Sequence, residues 1–167
     1  NPAGVDLRGQ LRVNRPLMTD RSNEFRSGPG LQGLFMTNPK AAQDDPVAGS
    51  LALCVLDNGK GDVTYLRGWP RAKWWASPLL FWDDFSEDGK LGPEPAQRNA
   101  VGSICLQREI GPGAEAEFTF LLAWHFPNRT AAWCGWSAPK GDENTIIGNY
   151  YAKRFGAAWQ AAEYAAA

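Results

Sequence analysis

The chain has little of what several common functions require: it has three cysteines, one histidine and no long apolar run among its 167 residues. Without an apolar run of about 20 residues, the sequence predicts no transmembrane helix. Its net charge of −1 argues against nucleic acid and acidic membranes as partners, because both attract clustered Lys and Arg. The opening NPAGVDLRGQL lacks the basic and apolar segments of a signal peptide, so a soluble, cytoplasmic protein is favoured while the compartment stays open.

The cysteines and the histidine predict neither a disulfide framework nor a metal centre. Cys54, Cys105 and Cys134 are odd in number and widely spaced, and none belongs to a C-x-x-C motif. Cys54 and Cys105 lie in apolar segments, where a reduced thiol packs as a small hydrophobic group. With His125 as the single imidazole, we expect three reduced thiols and no bound metal, and a disulfide or a metal site is the alternative.

What the sequence does contain is a series of short strand-like segments. They are residues 31–37, 50–56, 62–69, 101–110 and 115–126. Asn58-Gly59 predicts a hairpin between the second and third segments, and Gly111-Pro112-Gly113 predicts one between the fourth and fifth. Residues 1–30 have few core positions and resemble an extended lead-in, whereas residues 71–85 fit a short helix or a twisted strand. The pattern indicates a mainly β fold, an antiparallel β-sandwich.

The last strand-like segment alternates with a period of two. The residues on one side of it are Ala116, Phe118, Phe120, Leu122 and Trp124. We expect this side to be the inner face of a sheet, with Glu115, Glu117 and Thr119 in solvent on the other side. Leu121 and Ala123 continue that other side, so we expect a second layer to cover it there.

The end of the chain changes to a helical period. Tyr151, Phe155 and Trp159 recur every four residues, which predicts one face of a helix. Alanines follow as far as Ala167 without a helix stop signal. We therefore expect a β domain over residues 1–148, incomplete at its N-terminus, and the start of a linker helix over residues 149–167.

Several motifs resemble, in order and spacing, the N-terminal domain of glycoside hydrolase family 116. They are GLQGLFM at 30–36, SLAL at 50–53, WDDFSEDGKL at 82–91, LAWHFPNR at 122–129, GNYYAKRF at 148–155 and AWQAAEY at 158–164. The resemblance implies a β-sandwich that leads into a helical-toroid catalytic domain. It also implies a parent enzyme, a retaining β-glucosidase or glucosylceramidase, that uses no organic cofactor. None of the matching positions corresponds to the nucleophile Glu or the acid/base Asp of the family.

The acidic residues of this chain do not supply a replacement for that carboxylate pair. Retaining glycosidases hold two carboxyl groups about 5–5.5 Å apart. Asp83 and Asp84 would point to opposite faces of a strand, and with Glu87 and Asp88 they are typical of a solvated turn near Gly89. The same cluster half matches a calcium-binding loop, which leaves a cation as the alternative.

We therefore expect a non-catalytic portion of a β-glycosidase, which supports and borders an active site formed by the following domain. Its partners would be that catalytic domain and, for the whole enzyme, a β-glucoside or a glucosylceramide-like substrate. Tyr151, Phe155 and Trp159 are predicted to contact the catalytic domain. The predicted sugar-stacking residues are Trp124, Trp133 and Trp136. The alternative is a stand-alone carbohydrate-binding or structural β-sandwich module.

Overall fold

A computed structural model describes residues 21–56, 61–73 and 75–167. The strands are β1 (Ser22–Gly28), β2 (Leu31–Thr37), β3 (Ser50–Leu56), β4 (Asp62–Leu66), β5 (Ser103–Gln107) and β6 (Thr119–His125). The helices are α1 (Ala76–Asp88), α2 (Ala131–Cys134) and α3 (Ala158–Ala166), with a 3-10 turn at Tyr150–Lys153. The strands form one four-stranded sheet in the order β1-β2-β3-β6 and one two-stranded sheet, β4-β5. Both sheets are antiparallel.

The first hairpin includes a strand that the sequence analysis did not predict. β1 pairs with β2 from Ser22↔Thr37 to Gly28↔Leu31, so residues 22–28 are not the lead-in that we expected. Gly30, with φ of 73°, supplies the left-handed turn between the two strands. Phe25 gives β1 an apolar contact with the second sheet, because its ring stacks on Tyr65 of β4 at 3.9 Å. The predicted bounds of β2 and β3 are confirmed.

The strand pairings contradict both predicted hairpins. β3 pairs with β2 on one side and β6 on the other, whereas β4 pairs with β5. The Asn58-Gly59 dipeptide lies outside the described residues, and Gly111-Pro112-Gly113 forms an exposed turn between strands of different sheets. A turn motif shows only that the chain reverses direction. Pairing depends on burial, and β3, which is apolar on both faces, lies inside its sheet.

The segment that fitted either a helix or a strand, residues 71–85, contains most of helix α1, which continues to Asp88. Pro78 lies in the first turn, where a missing N–H costs no helical hydrogen bond. Gly89 ends the helix in the left-handed conformation, with φ of 74°, and its N–H donates to the Phe85 carbonyl. Asp83 and Asp84 thus lie on a helix, and not in the solvated turn that we expected.

Each face of the four-stranded sheet has its own apolar core. On one face, α3 lies against β2, β3 and β6. The buried residues of this core are Leu31, Ala52, Cys54, Ala158, Trp159 and Ala162. On the other face, Leu34, Met36 and Leu51 are buried and Tyr65 of β4 packs against them. The predicted antiparallel β architecture with a C-terminal helix is confirmed.

One face of β6 agrees with the prediction and the other does not. Leu121 and Ala123 pack against the core beneath α3, as expected for residues with a second layer over them. Phe120, Leu122 and Trp124, however, are 51%, 54% and 59% exposed, so the predicted inner face is wrong. The reason is position in the sheet: the core that includes β4 lies over β1, β2 and β3, and β6 lies at the edge beyond it.

Candidate functional site

The most prominent exposed feature of the four-stranded sheet is a row of large apolar side chains on β6 and the residue just before it. We call Phe118, Phe120, Leu122 and Trp124 the β6 strip; each is at least 40% exposed. Alternate residues of a strand are about 6.6–6.8 Å apart, so an extended row of four spans roughly 20 Å. Full burial of a large apolar side chain contributes about 1.5–3 kcal/mol, so covering the exposed half of each of these residues would contribute roughly 0.7–1.5 kcal/mol. The strip is therefore a strong candidate for an interaction surface.

β6 is also an edge of its sheet. Among the described residues, β3 is the single strand that pairs with it. Sheet edges are commonly protected from other chains by charged side chains or proline, but residues 119–125 contain no Lys, Arg, Asp, Glu or Pro. The strand itself therefore carries no charged residue or proline that would hinder pairing with another chain, either at its open edge or on the face of the strip.

The loop after β6 displays two further indole rings. The Thr130 side chain accepts a hydrogen bond from the Trp133 N–H at 3.1 Å and so starts the short helix α2. Gly135 ends that helix with φ of 70°. Trp133 is 37% exposed and Trp136 is 53% exposed, and the Arg129 guanidinium lies 4.9 Å from the centre of the Trp136 ring. Trp124, Trp133 and Trp136 are therefore all accessible, but no ring contact joins them in the described part of the chain.

A hydrogen-bonded junction fixes the end of β6 to the segment that precedes α3. The Tyr151 hydroxyl donates to the Phe126 carbonyl at 2.9 Å and accepts from the Phe126 N–H at 3.1 Å. The Asn149 amide also donates to the Phe126 carbonyl, at 2.8 Å. The rings of His125 and Tyr151 meet edge to face at 5.6 Å. Tyr151 is half-buried here, and the 86% exposed side chain is that of its neighbour Tyr150.

Trp159 occupies the core of this chain and does not share the exposure expected of it. It is 7% exposed, and its indole N–H donates to Glu163 at 2.8 Å. Phe155 is half-buried, with the ring of Tyr164 at 5.6 Å. The Arg154 guanidinium lies 4.0 Å from the Tyr164 ring centre. The predicted helical face of Tyr151, Phe155 and Trp159 is therefore wrong: of the three, only Trp159 lies on α3, on the face that packs against the sheet, and Tyr151 lies in the 3-10 turn.

Comparison with known proteins identifies the family of the chain. The chain matches the family model described as beta-glucosidase 2, glycosyl-hydrolase family 116 N-term, over residues 7–167. The chain belongs to this family. A comparison with curated proteins finds no match. The resemblance predicted from the sequence motifs is thereby confirmed, and membership in the N-terminal domain family implies a catalytic domain as partner.

In the described part of this family 116 domain, the carboxylate of Glu94 is hydrogen-bonded to two arginines, which favour its ionised form. Glu94 accepts hydrogen bonds from the Arg67 N–H at 2.7 Å, from Arg67 Nε at 2.9 Å and from Arg98 at 3.1 Å. Partial burial raises the pKa of Glu94, but the hydrogen bonds and the charges of both arginines outweigh burial and lower the pKa overall. A glycosidase acid needs the opposite, a proton retained at the working pH. Glu94 thus acts as a structural ion-pair partner that ties two loops together.

Other reactive groups of the domain are also engaged in structure. Burial, with a smaller contribution from Glu163, raises the pKa of the Cys54 thiol to about 11, which suppresses its reactivity. Asp84 and Asp88, in the segment that half matches a calcium-binding loop, accept backbone hydrogen bonds from Gly92 and Lys90 respectively. In the described residues, no group of three or more His, Cys, Asp or Glu side chains could hold a metal. None of the described helices combines the length and apolar character needed to cross a membrane.

Proposed function

We propose that this chain is a non-catalytic part of a retaining β-glucosidase or glucosylceramidase-like enzyme, in which it supports and borders the active site of a following helical domain. The proposal includes a β-sandwich over residues 1–148 and a linker helix that starts within residues 149–167. The substrate of the whole enzyme would be a β-glucoside or a glucosylceramide-like lipid. The enzyme would be soluble and cytoplasmic.

The exposed β6 strip is the observation that carries the proposal. A row of Phe, Leu and Trp side chains without charged neighbours on its strand is typical of a surface that another protein layer covers. Family membership implies a partner for this surface, the catalytic domain. We propose that this domain covers the strip and thereby completes the apolar layer that β4 and β5 begin.

The residues around the strip would form the border of the active site. Trp124, Trp133 and Trp136 present accessible indole faces, and such faces stack on the C–H groups of sugars. Tyr151, which is hydrogen-bonded to Phe126 at the end of β6, and Phe155 are both half-exposed and would extend the contact with the catalytic domain. Trp159, because it is buried, would support this contact indirectly by anchoring α3 to the sheet.

The proposal is tested by introducing Leu122→Gln both into the isolated chain and into the whole enzyme. Leu122 is 54% exposed in the chain alone, so the change should alter its stability by no more than about 0.5 kcal/mol. In the whole enzyme the same glutamine would be buried without a partner, and the unfolding temperature should fall by about 2–5 °C. Thermal unfolding followed by circular dichroism and calorimetry measures both effects.

Leu79→Gln is the matched control, because Leu79 on α1 is 63% exposed and lies outside the strip. In dilute solution this change should be neutral in the isolated chain and in the whole enzyme. Equal shifts from Leu122→Gln in the two proteins would show that the strip remains in solvent, and the docking proposal would then be wrong.

The stand-alone carbohydrate-binding module is the second candidate function, and the exposed indoles favour it. Under that alternative, a soluble β-glucoside such as an alkyl glucoside should quench or shift the tryptophan fluorescence of the isolated chain. Trp136→Ala should then weaken binding of the glucoside, whereas Leu122→Gln should change the stability of the isolated chain and of the whole enzyme equally. Under the docking proposal, the isolated chain shows no saturable change.

A further inference from the structure

Helix α1 carries large aromatic and aliphatic side chains on two adjacent faces. On its inner face, the ring of Phe81 stacks on Trp69 with 4.6 Å between ring centres, and the ring centre of Phe85 lies 6.2 Å from that of Phe81. Its outer face carries Trp75, Leu79 and Trp82, which we call the α1 stripe; these residues are 65%, 63% and 59% exposed. Spacings of four and three residues place them in one row. A contiguous row of exposed, large apolar side chains is typical of a surface that binds another protein.

The charges beside the α1 stripe are separated by sign along the helix axis. Arg71 and Lys73 precede the helix and are exposed. Asp83 and Glu87, in its C-terminal half, are also exposed, and neither side chain forms an ion pair with another described residue. Acidic side chains near a helix C-terminus interact unfavourably with the negative end of the helix dipole. No basic residue in the last turn of α1 offsets this repulsion. A matching surface would carry a positive charge at this end and a negative charge at the other.

From this pattern we infer that α1 is a self-association surface, which binds a second copy of this chain as an antiparallel helix pair. A two-fold axis near Leu79 brings Trp75 of each copy toward Trp82 of the other. It also brings the Arg71 and Lys73 end of one copy beside the acidic end of its partner. Each contact then occurs twice, as in any isologous interface. A parallel arrangement would instead place like charges together.

The inferred dimer is weak, because one helix from each copy buries less than the roughly 1,200 Å² typical of stable complexes. We expect a dissociation constant on the order of 10–100 µM. The inference concerns a different surface from the proposed docking of the catalytic domain. Its failure would therefore leave the β6 strip proposal unaffected.

Sedimentation velocity of the full chain, from about 1 µM to about 1 mM, tests the inference across the expected range. The wild-type chain should shift from monomer to dimer. Leu79→Gln should raise the dissociation constant about 100-fold, at about tenfold for each of the two copies. Leu122→Gln is the matched control on the β6 strip, and it should leave the dimer intact.

Three results would overturn the inference. One is a wild-type chain that remains monomeric at every concentration. That result would indicate that another partner, such as the catalytic domain, covers the α1 stripe. Another is dimerisation that Leu122→Gln abolishes and Leu79→Gln does not, which would place self-association on β6. The third is a dimer that neither variant weakens.

Charge reversal tests the antiparallel arrangement independently of apolar burial. The double variant Asp83→Lys, Glu87→Lys should weaken the dimer several-fold to about tenfold at low salt, because like charges then face each other. Adding Arg71→Glu and Lys73→Glu should restore the wild-type dissociation constant, since the charges are again complementary. A fourfold variant that dimerises no better than the double variant would overturn the antiparallel pairing.

Discussion

Leu121 and Leu122 are adjacent residues on β6 with opposite surroundings. The first packs against the core beneath α3, and the second is 54% exposed on the β6 strip. Because the side chains of a strand alternate, a single layer over one face separates neighbours of the same chemical type. The contribution of an apolar residue to stability therefore depends on which layer covers it, and not on its hydrophobicity alone.

This difference predicts unequal effects of truncating two large apolar residues. Leu34 is fully buried between the sheets, so Leu34→Ala should lower the free energy of unfolding of the isolated chain by about 2–5 kcal/mol. Phe120 is 51% exposed, so Phe120→Ala should cost no more than about 1 kcal/mol despite removing a larger side chain. Urea denaturation measures both values. A Phe120→Ala cost equal to that of Leu34→Ala would restore the inner-face assignment and refute the structure's arrangement of β6.

At the scale of elements, local sequence patterns predicted the secondary structure of a segment better than they predicted its pairing partner. The uniformly apolar SLALCVL segment correctly predicted β3, and the alanine-rich end of the chain correctly predicted a C-terminal helix. The spacing of Tyr151, Phe155 and Trp159 wrongly predicted one continuous helical face, because Tyr151 lies in the 3-10 turn and Phe155 lies between that turn and α3. Both predicted hairpins failed because the pairing of β3 with β6 joins residues about 70 positions apart. Nothing within either segment specifies that partner. It follows from the burial of both faces of the sheet.

The end of α1 allows an element-scale prediction with a close control. Gly89→Ala should lower the free energy of unfolding by about 1 kcal/mol, because alanine is strained at φ of 74° and the helix stop would be weakened. Gly111 lies in an exposed turn with open space around its Cα and no positive φ. Gly111→Ala should therefore be neutral or slightly stabilising. Equal costs for the two variants would show that the left-handed stop at Gly89 does not stabilise α1.

At the scale of the whole molecule, the sequence motifs identified the family but not the surface. The sequence showed that the residues of the β6 strip lie on one side of a strand. Their alternation was equally consistent with burial inside this chain and with a contact to another domain. Trp159 shows the converse, since a residue expected at an interface fills the chain's own core. Which apolar row is left uncovered depends on where α3 and β4 pack. Those long-range contacts could not be derived from local periodicity.

The central claim is that the catalytic domain covers the β6 strip, and hydroxyl-radical footprinting measures this coverage directly. In the isolated chain at low concentration, Phe120, Leu122 and Trp124 should all be labelled. In the whole enzyme, their labelling should fall about tenfold or more, while Trp82 on the α1 stripe should remain labelled as an internal reference. Undiminished labelling of the β6 strip in the whole enzyme would contradict the account, because the strip would then face solvent in the enzyme as it does in the chain alone.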